Sequence, residues 1–313
     1  MATLATAPLR TRRRTGGFHR SEQTTGILCV LPWLVGFVVF TAGPMLVSLA
    51  LSFTRWNLIG HIHWAGLQNY TTALQKDPLV WHSFAVTTLF ALMAVPLHVA
   101  LGLGLAMLLN QKIAARSLFR MVFYLPSVVS GVAVALLWSW IFSPGFGLLD
   151  ALLRLVGVHG PAWLFDPHTV LIAFVIMSLW GIGGGMIIYL AALQGVPPEL
   201  LEAATVDGAA AFQRTWHIVV PLLSPVIFFN LVTGIIAAIQ TFVPAYVMTG
   251  GGPNNASLFT MLYLYQNAFQ YFHMGYASAL AWLMFIYIVG LTLLVFRFSS
   301  AWVYYEGTLR KGR

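Results

Sequence analysis

The sequence predicts an all-α, polytopic membrane protein with six transmembrane helices. Of its 313 residues 8% are charged and 59% are hydrophobic, whereas about 25% of the residues of a typical soluble domain are charged. The apolar residues are also concentrated in six long runs that short polar segments separate. A soluble core needs less apolar surface and more charge around it, so the composition and the runs together indicate a chain that crosses a lipid bilayer.

Each run has about 20 apolar residues, which as a helix cross about 30 Å of hydrocarbon. The predicted spans are about Ile27–Leu51, Ser83–Leu109, Met121–Phe142, Thr169–Leu193, Val219–Ile239 and Ala277–Phe296. The first run, which contains the one cysteine, Cys29, is too long for the core of a signal peptide. We therefore predict a basic tail (residues 1–26), a six-span transmembrane domain (27–296) and a C-terminal tail (297–313).

The basic residues predict the orientation of the chain. If both termini share one side of the membrane, 13 of the 16 basic residues lie on that side, namely Arg10, Arg12, Arg13, Arg14, Arg20, Lys112, Arg116, Arg120, Arg214, Arg297, Arg310, Lys311 and Arg313. Arg55, Lys76 and Arg154 lie on the other side. Because Lys and Arg accumulate in cytoplasmic segments, both termini are predicted to be cytoplasmic, in a cell (inner or plasma) membrane. The net charge of +8 thus reflects the basic cytoplasmic segments of a membrane protein and does not indicate nucleic-acid binding.

Two outer connections carry local structure signals. Between the third and fourth spans, leucines recur at near-helical spacing from Leu148 to Leu155, which predicts a short interfacial helix. Between the fifth and sixth spans, the Gly- and Pro-rich run Met248–Asn255 predicts a turn or loop.

Ionisable side chains are almost missing from the predicted spans, which contain only His98 and Cys29. A proton-driven secondary transporter usually carries membrane carboxylates, so this class is disfavoured, whereas a sodium-coupled carrier can use backbone carbonyls and stays open. His98 is more typical of a hydrogen-bonded packing residue than of a proton relay. There is no G-x-x-x-x-G-K-[ST] motif, and His61 and His63 have no further ligand at suitable spacing. We predict no metal site and no enzyme activity.

The connection between the fourth and fifth spans, residues 197–221, predicts a helix, a break and a second helix. Pro197 and Pro198 suit a helix start, and two glutamates follow near the positive end of its dipole. Asp207-Gly208 provides the break, since glycine tolerates the left-handed conformation that ends helices. Pro221 is predicted to lie where the fifth span begins. On physical grounds alone, the segment is equally typical of an ordinary amphipathic connector.

The exact residues of this connection resemble a known signature. The connection contains Glu202-Ala203-Ala204 followed by Gly208, Ile218 and Pro221. In residue type and spacing this series is similar to the EAA motif of binding-protein-dependent ABC importer permeases, although Val220 replaces the usual leucine before the proline. The resemblance implies a type I ABC importer permease fold, in which this segment is the coupling helix that docks on an ATPase subunit. The residues to which it assigns this role are Glu199, Glu202, Ala203, Ala204, Asp207, Gly208, Ala209, Phe212, Ile218 and Pro221.

Other segments resemble the carbohydrate branch of that family, the group of the maltose and glycerol-phosphate permeases. They are Leu118–Arg120 with Leu125-Pro126, Trp138–Phe142, Thr249–Pro253 and Gly275–Ala279. The chain lacks the additional N-terminal helices and large insertion of the maltose-type subunit, so it is more similar to six-span members. The resemblance implies alternating access and four partners: a second permease subunit, two cytoplasmic ATPase subunits that bind ATP and Mg, and an extracytoplasmic sugar-binding protein. It implies no cofactor on this chain.

Polar residues on two spans predict a substrate path. On the fifth span, Asn230, Thr233, Gln240 and Thr241 form one helical stripe, which faces protein or a water-filled cavity because unpaired amides are costly in lipid. On the fourth span we add Ser178, Trp180 and Tyr189, while helix packing remains the alternative for both sets. Because the spans contain no Arg or Lys, the predicted cargo is a neutral mono- or oligosaccharide. A sugar phosphate or uronate stays open if the partner permease or helix N-termini offset its charge. The alternative function is a secondary transporter or channel that works without an ATPase.

Overall fold

The computed structural model describes residues 20–304, with side chains from Thr25 onward. The four tail arginines from Arg10 to Arg14, and Arg310, Lys311 and Arg313 at the other end, lie outside this range. The chain comprises two compact units, residues 1–50 and 51–313. Helix α1 runs through the first unit as Arg20–Phe37, a π-helical turn at Val38–Ala42, and Gly43–Ser52, whose last two residues belong to the second unit.

The second unit is mostly helical. A two-residue antiparallel pair, β1 (Thr54–Arg55) and β2 (His63–Trp64), precedes its helices. They are α2 (Gln68–Thr71, continued by Thr72–Lys76), α3 (Pro78–Asn110), α4 (Arg116–Tyr124, continued by Leu125–Val128), α5 (Gly131–Ile141), α6 (Leu148–Leu155), α7 (Val170–Leu179), α8 (Gly183–Gln194), α9 (Pro198–Val206), α10 (Ala211–Ile239), α11 (Thr260–Tyr265, continued by Gln266–Gln270) and α12 (Met274–Ser299).

Six membrane crossings result when each bent helix pair is counted once. Among the described residues, α1, α3, α10 and α12 are each long and apolar enough to span, whereas α4 and α5 meet at 101° and α7 and α8 at 44°. The third predicted span, Met121–Phe142, is therefore not one continuous helix. The break follows a 3₁₀ turn that contains Pro126, whose missing N–H weakens the helical ladder. The fourth span bends just before Gly183, beside Gly181.

The fifth span begins at Ala211, eight residues before the predicted Val219, so Pro221 lies inside α10 and not at its start. A π-helical turn at Thr215–Val219 precedes Pro221, as the turn at Val38–Ala42 precedes Pro44. Because proline cannot donate a backbone hydrogen bond, a widened turn lets the helix continue through that position. The helix predicted in the leucine-rich connection is present as α6. The loop predicted at Met248–Asn255 begins only at Gly250, because Met248 and Thr249 belong to a helical turn at Ala245–Thr249.

Four helices pack closely at the centre of the second unit. Helix α3 packs against both α8 and α10, and α4 packs against α8. A Cβ at Gly183 would overlap the backbone carbonyl of Phe123 and lie 2.8 Å from Cα of Tyr124. Only glycine therefore allows α4 to cross α8 at this distance.

The carboxylate of Asp77 joins three helices at the N-terminus of α3. Asp77 Oδ1 accepts a hydrogen bond from the N–H of Leu79 at the start of α3, and Oδ2 accepts the hydroxyls of Tyr263 on α11 (2.5 Å) and Tyr276 on α12 (2.6 Å). Burial, together with the bond to Asp77, raises the pKa of Tyr263, so this phenol stays protonated and keeps donating.

Candidate functional site

The segment predicted to couple to a partner has the expected helix–break–helix form. Helix α9 ends at Val206, and Gly208 has φ of +80°, the left-handed conformation that glycine adopts without strain. A Cβ built on Gly208 has no atom within 4 Å, so the conformation and not crowding requires glycine there. Helix α10 then begins at Ala211.

Hydrogen bonds fix the two helices around this break. The Arg214 guanidinium donates to the hydroxyl of Thr205, which itself donates to the carbonyl of Leu201 on α9. The N–H of Ala210 donates to the side chain of Gln213 at 2.8 Å and so satisfies a free donor at the start of α10. The segment therefore has a defined shape without a partner.

This shaped segment presents apolar side chains on its surface. Val206 is 88% and Phe212 71% exposed, and the ring of Phe212 contacts the exposed Trp216 at a centroid distance of 5.9 Å. Glu199, Glu202, Ala203 and Asp207 are also exposed, whereas Ala204, Ala209, Ile218 and Pro221 are half-buried. A clustered apolar surface with a charged rim is typical of a protein–protein contact.

A cavity of about 420 Å³ lies where α3, the bend between α7 and α8, and the second half of α10 meet. Most of its wall is apolar, with Phe90, Val95 and Ile182 among the lining residues. The polar residues that line it are His98, Ser178, Tyr189, Asn230, Thr233 and Thr241. Across the described chain, no Asp, Glu, Lys or Arg lines this cavity.

The structure brings together five of the seven residues predicted for the substrate path: Ser178, Tyr189, Asn230, Thr233 and Thr241. Trp180 and Gln240 do not line the cavity, and both are exposed. Trp180 lies at the bend after α7, where its ring packs edge-on against Trp138 at 6.2 Å. Gln240 is the residue that follows α10, and its neighbour Thr241 lines the cavity instead.

His98 is a wall residue of the cavity that sequence reasoning assigned to packing. Its Nε2 lies 3.2 Å from Oγ of Ser178, and this hydroxyl donates its one proton to the carbonyl of Val175 at 2.7 Å. The Ser178 oxygen therefore accepts from Nε2–H of His98, and in the neutral ring Nδ1 is left as an acceptor. The hydrogen bond predicted for His98 is thus present, but the residue also faces a cavity, which its isolated position in the sequence did not indicate.

On α10, two polar side chains of the wall also donate to their own helix. An amide N–H of Asn230 donates to the carbonyl of Val226 at 2.9 Å, and the Thr233 hydroxyl donates to the carbonyl of Phe229 at 2.8 Å. Their oxygens remain available as acceptors. With Ser178 and His98, these groups give the cavity a surplus of hydrogen-bond acceptors.

Comparison with known proteins decides the family. Residues 98–304 match the family model described as binding-protein-dependent transport system inner membrane component. The chain is also 42% identical over 291 residues to the probable ABC transporter permease protein YesP of Bacillus subtilis (strain 168), covering 92% of this chain and 94% of YesP. The chain belongs to this family of permeases. The permease is likewise 33% identical to the trehalose/maltose transport system permease protein MalF of Thermococcus litoralis, over 87% of this chain and 92% of MalF.

Solved structures have the same fold. The permease is similar, with a TM-score of 0.79, to a chain in the crystal structure of a bacterial ABC transporter involved in the import of the acidic polysaccharide alginate, over 91% of this chain and 97% of that one. The permease is also similar, with a TM-score of 0.77, to a chain in the crystal structure of a bacterial alginate ABC transporter in complex with an alginate pentasaccharide-bound periplasmic protein. Both are 22% identical to the permease, and they confirm the predicted type I importer permease fold.

Proposed function

We propose that this permease carries a neutral mono- or oligosaccharide into the cytoplasm as one subunit of an ATP-driven importer. An extracytoplasmic binding protein delivers the sugar, and the cavity between α3, α7, α8 and α10 holds it during transfer. Two ATPases, one of them docked on residues 197–221, switch the access of the cavity from one side to the other. Both termini lie on the cytoplasmic side, where the basic residues accumulate.

The observation that carries this proposal is the polar chemistry of the cavity wall. Ser178, Thr233, Asn230 and His98 retain acceptors after their bonds within the protein are counted. A sugar hydroxyl can donate to such acceptors, whereas an ionised carboxylate, phosphate or sulfonate has no proton to donate. An anion in this cavity would also lack a cation to offset the loss of its hydration.

The similar proteins leave the charge of the cargo open. MalF of Thermococcus litoralis is named for the neutral sugars trehalose and maltose, whereas the importer of similar fold takes up acidic alginate. Family membership therefore favours sugars as a class, and the cavity favours the neutral ones among them.

An uptake panel tests the charge of the cargo. The permease is purified with its partner subunits and its binding protein, and membrane vesicles are offered labelled maltose, trehalose, maltotriose, arabinotriose, glycerol phosphate and an alginate trisaccharide. We expect uptake of at least one neutral sugar and of neither anion. Uptake of an anion with none of any neutral sugar would contradict the proposal.

Coupling through residues 197–221 rests on the exposed apolar side chains of α9 and its break. Leu200, Val206 and Phe212 are exposed in a segment whose shape is fixed internally. A cysteine introduced at Val206 should cross-link to the ATPase subunit in the assembled importer, whereas one introduced at Ile59, which is 90% exposed in the first outer connection, should not. Equal cross-linking at both positions would count against this docking surface.

Removing one amide from the cavity should weaken uptake moderately. Asn230→Ala deletes a neutral hydrogen-bonding group, which contributes about 0.5–1.5 kcal/mol, so we expect the KM for the transported sugar to rise about 2- to 10-fold. Gln240→Ala is the matched control: it deletes the amide of the residue that follows α10, outside the cavity wall. Complete loss of transport in Asn230→Ala, or an equal effect in both variants, would indicate a structural or gating role instead.

A further inference from the structure

Tyr189 differs from the other polar residues of the cavity wall. Its side chain is only 1% exposed, yet its hydroxyl has no hydrogen-bond partner among the described residues. Buried hydroxyls are normally paired, because an unpaired one has lost its bonds to water without replacement. Such a group in a cavity wall requires an explanation beyond packing.

The packing around Tyr189 holds its ring in place. A Cβ at Gly102 of α3 would lie 3.4 Å from its Cε2 atom, and one at Gly185, a turn earlier on α8, would lie 4.0 Å from the same atom. Met186 and Leu190 belong to the apolar cluster that also includes Tyr189, on the side of α8 that leads to the coupling segment. The ring is therefore clamped at the end of the cavity nearest that segment.

Asn230 reaches the same end of the cavity from α10. Its Oδ1 atom lies 3.4 Å from the Cβ position of Gly185, the glycine that also adjoins the ring of Tyr189. No hydrogen bond occupies this oxygen within the described chain, since Asn230 uses its amide nitrogen to bond Val226. The Asn230 amide oxygen and the ring edge of Tyr189 thus adjoin one glycine at the inner end of the cavity.

The two groups complement each other chemically. Ser178 and Thr233 give their hydroxyl protons to backbone carbonyls, so they cannot donate to a ligand, whereas the Tyr189 O–H remains free to do so. A donor and an acceptor on the same part of the wall match a group that both accepts and donates, which is the property of an alcohol hydroxyl. An ether oxygen or a carboxylate satisfies only one of the two.

We propose that Tyr189 and Asn230 form an inner subsite that binds a single sugar hydroxyl, with the phenol donating to the sugar oxygen and Asn230 Oδ1 accepting the sugar proton. This subsite rests on the proposed function and assigns a specificity role to two residues of that cavity. It selects sugars with a free hydroxyl at the position that enters the inner end.

A double-mutant cycle tests the subsite in the complete importer, using maltotriose or whichever neutral sugar of the uptake panel the wild type carries. Tyr189→Phe keeps the ring and removes only the hydroxyl. We expect its KM to rise about 3- to 10-fold, while the thermal unfolding temperature stays the same or rises because an unpaired buried hydroxyl has been removed. Because one sugar hydroxyl connects the two residues, the double variant Tyr189→Phe with Asn230→Ala should lose less than the product of the single effects.

The matched control is Tyr287→Phe. Tyr287 bonds Thr88 at 2.6 Å and does not line the cavity, so this change should lower the unfolding temperature and leave KM unchanged. Wild-type uptake with an unchanged KM in Tyr189→Phe, or two effects that multiply fully, would overturn the subsite and leave the proposed function standing. A wild-type complex that carries an anion of the panel and none of its neutral sugars would overturn both.

Discussion

Replacing Gly208 by valine should abolish sugar uptake while the protein still reaches the membrane. Gly208 has φ of +80°, which a residue with a Cβ resists by about 1–2 kcal/mol, and a β-branched one more strongly. Helix α9 is largely exposed, so the chain can relieve this strain by changing the turn, and the docking surface then changes its direction relative to α10. The measurement is ATP-dependent uptake in vesicles, with the amount of permease in the membrane determined by immunoblot.

Gly208→Asn is the control for this experiment. Asparagine adopts the left-handed conformation at low cost, and no atom lies within 4 Å of the added Cβ, so uptake should be largely retained. Normal uptake and normal ATPase association in Gly208→Val would show that the geometry of this break is not needed for coupling.

Replacing Gly183 by alanine should prevent the permease from folding correctly. The added Cβ would overlap the carbonyl group of Phe123, and backbone atoms cannot move aside as a flexible side chain can. Overpacking of this kind costs about 1–3 kcal/mol and more where the backbone itself must shift, so we expect a strongly reduced yield of monodisperse protein.

The next residue offers a control with the same chemical change. A Cβ at Gly184 would lie 3.8 Å from Cβ of Ser127, an ordinary contact, so Gly184→Ala should keep a near wild-type yield and unfolding temperature. Size-exclusion chromatography of the detergent-solubilised variants measures the yield of monodisperse protein, and thermal denaturation measures the unfolding temperature. Equal yields of the two variants would contradict the close approach of α4 and α8.

The parts of the fold that the sequence predicts well are those that local chemistry determines. The break at Asp207-Gly208 followed from the left-handed preference of glycine, and the number of spans followed from the apolar runs. The bend between α4 and α5 was missed because both halves are apolar, and the apolar pattern does not show where a helical ladder is interrupted. The early start of α10 was missed because Pro221 resembles a helix start unless a widened turn accommodates it.

The candidate cavity was predictable where helical periodicity holds. Asn230, Thr233 and Thr241 were placed on one stripe by spacing alone, and the structure finds all three in the wall. Gln240 was misplaced although Thr241, which also lies beyond the end of α10, does line the wall; Trp180 was chosen for its aromatic ring, which packs against Trp138. The cavity-facing position of His98 and the unpaired hydroxyl of Tyr189 depend on which helices meet, which a single sequence does not specify.

The most direct test of the central claim is the energy source of uptake. The permease, its partner subunits and its binding protein are reconstituted into proteoliposomes, and accumulation of a labelled neutral sugar from the panel is measured with ATP, with a non-hydrolysable ATP analogue, and with a sodium or proton gradient alone. We expect accumulation with ATP and none with the analogue or with either gradient. Uptake driven by a gradient without ATP, or by the permease in the absence of ATPase subunits, would contradict the central claim and indicate a secondary transporter or channel.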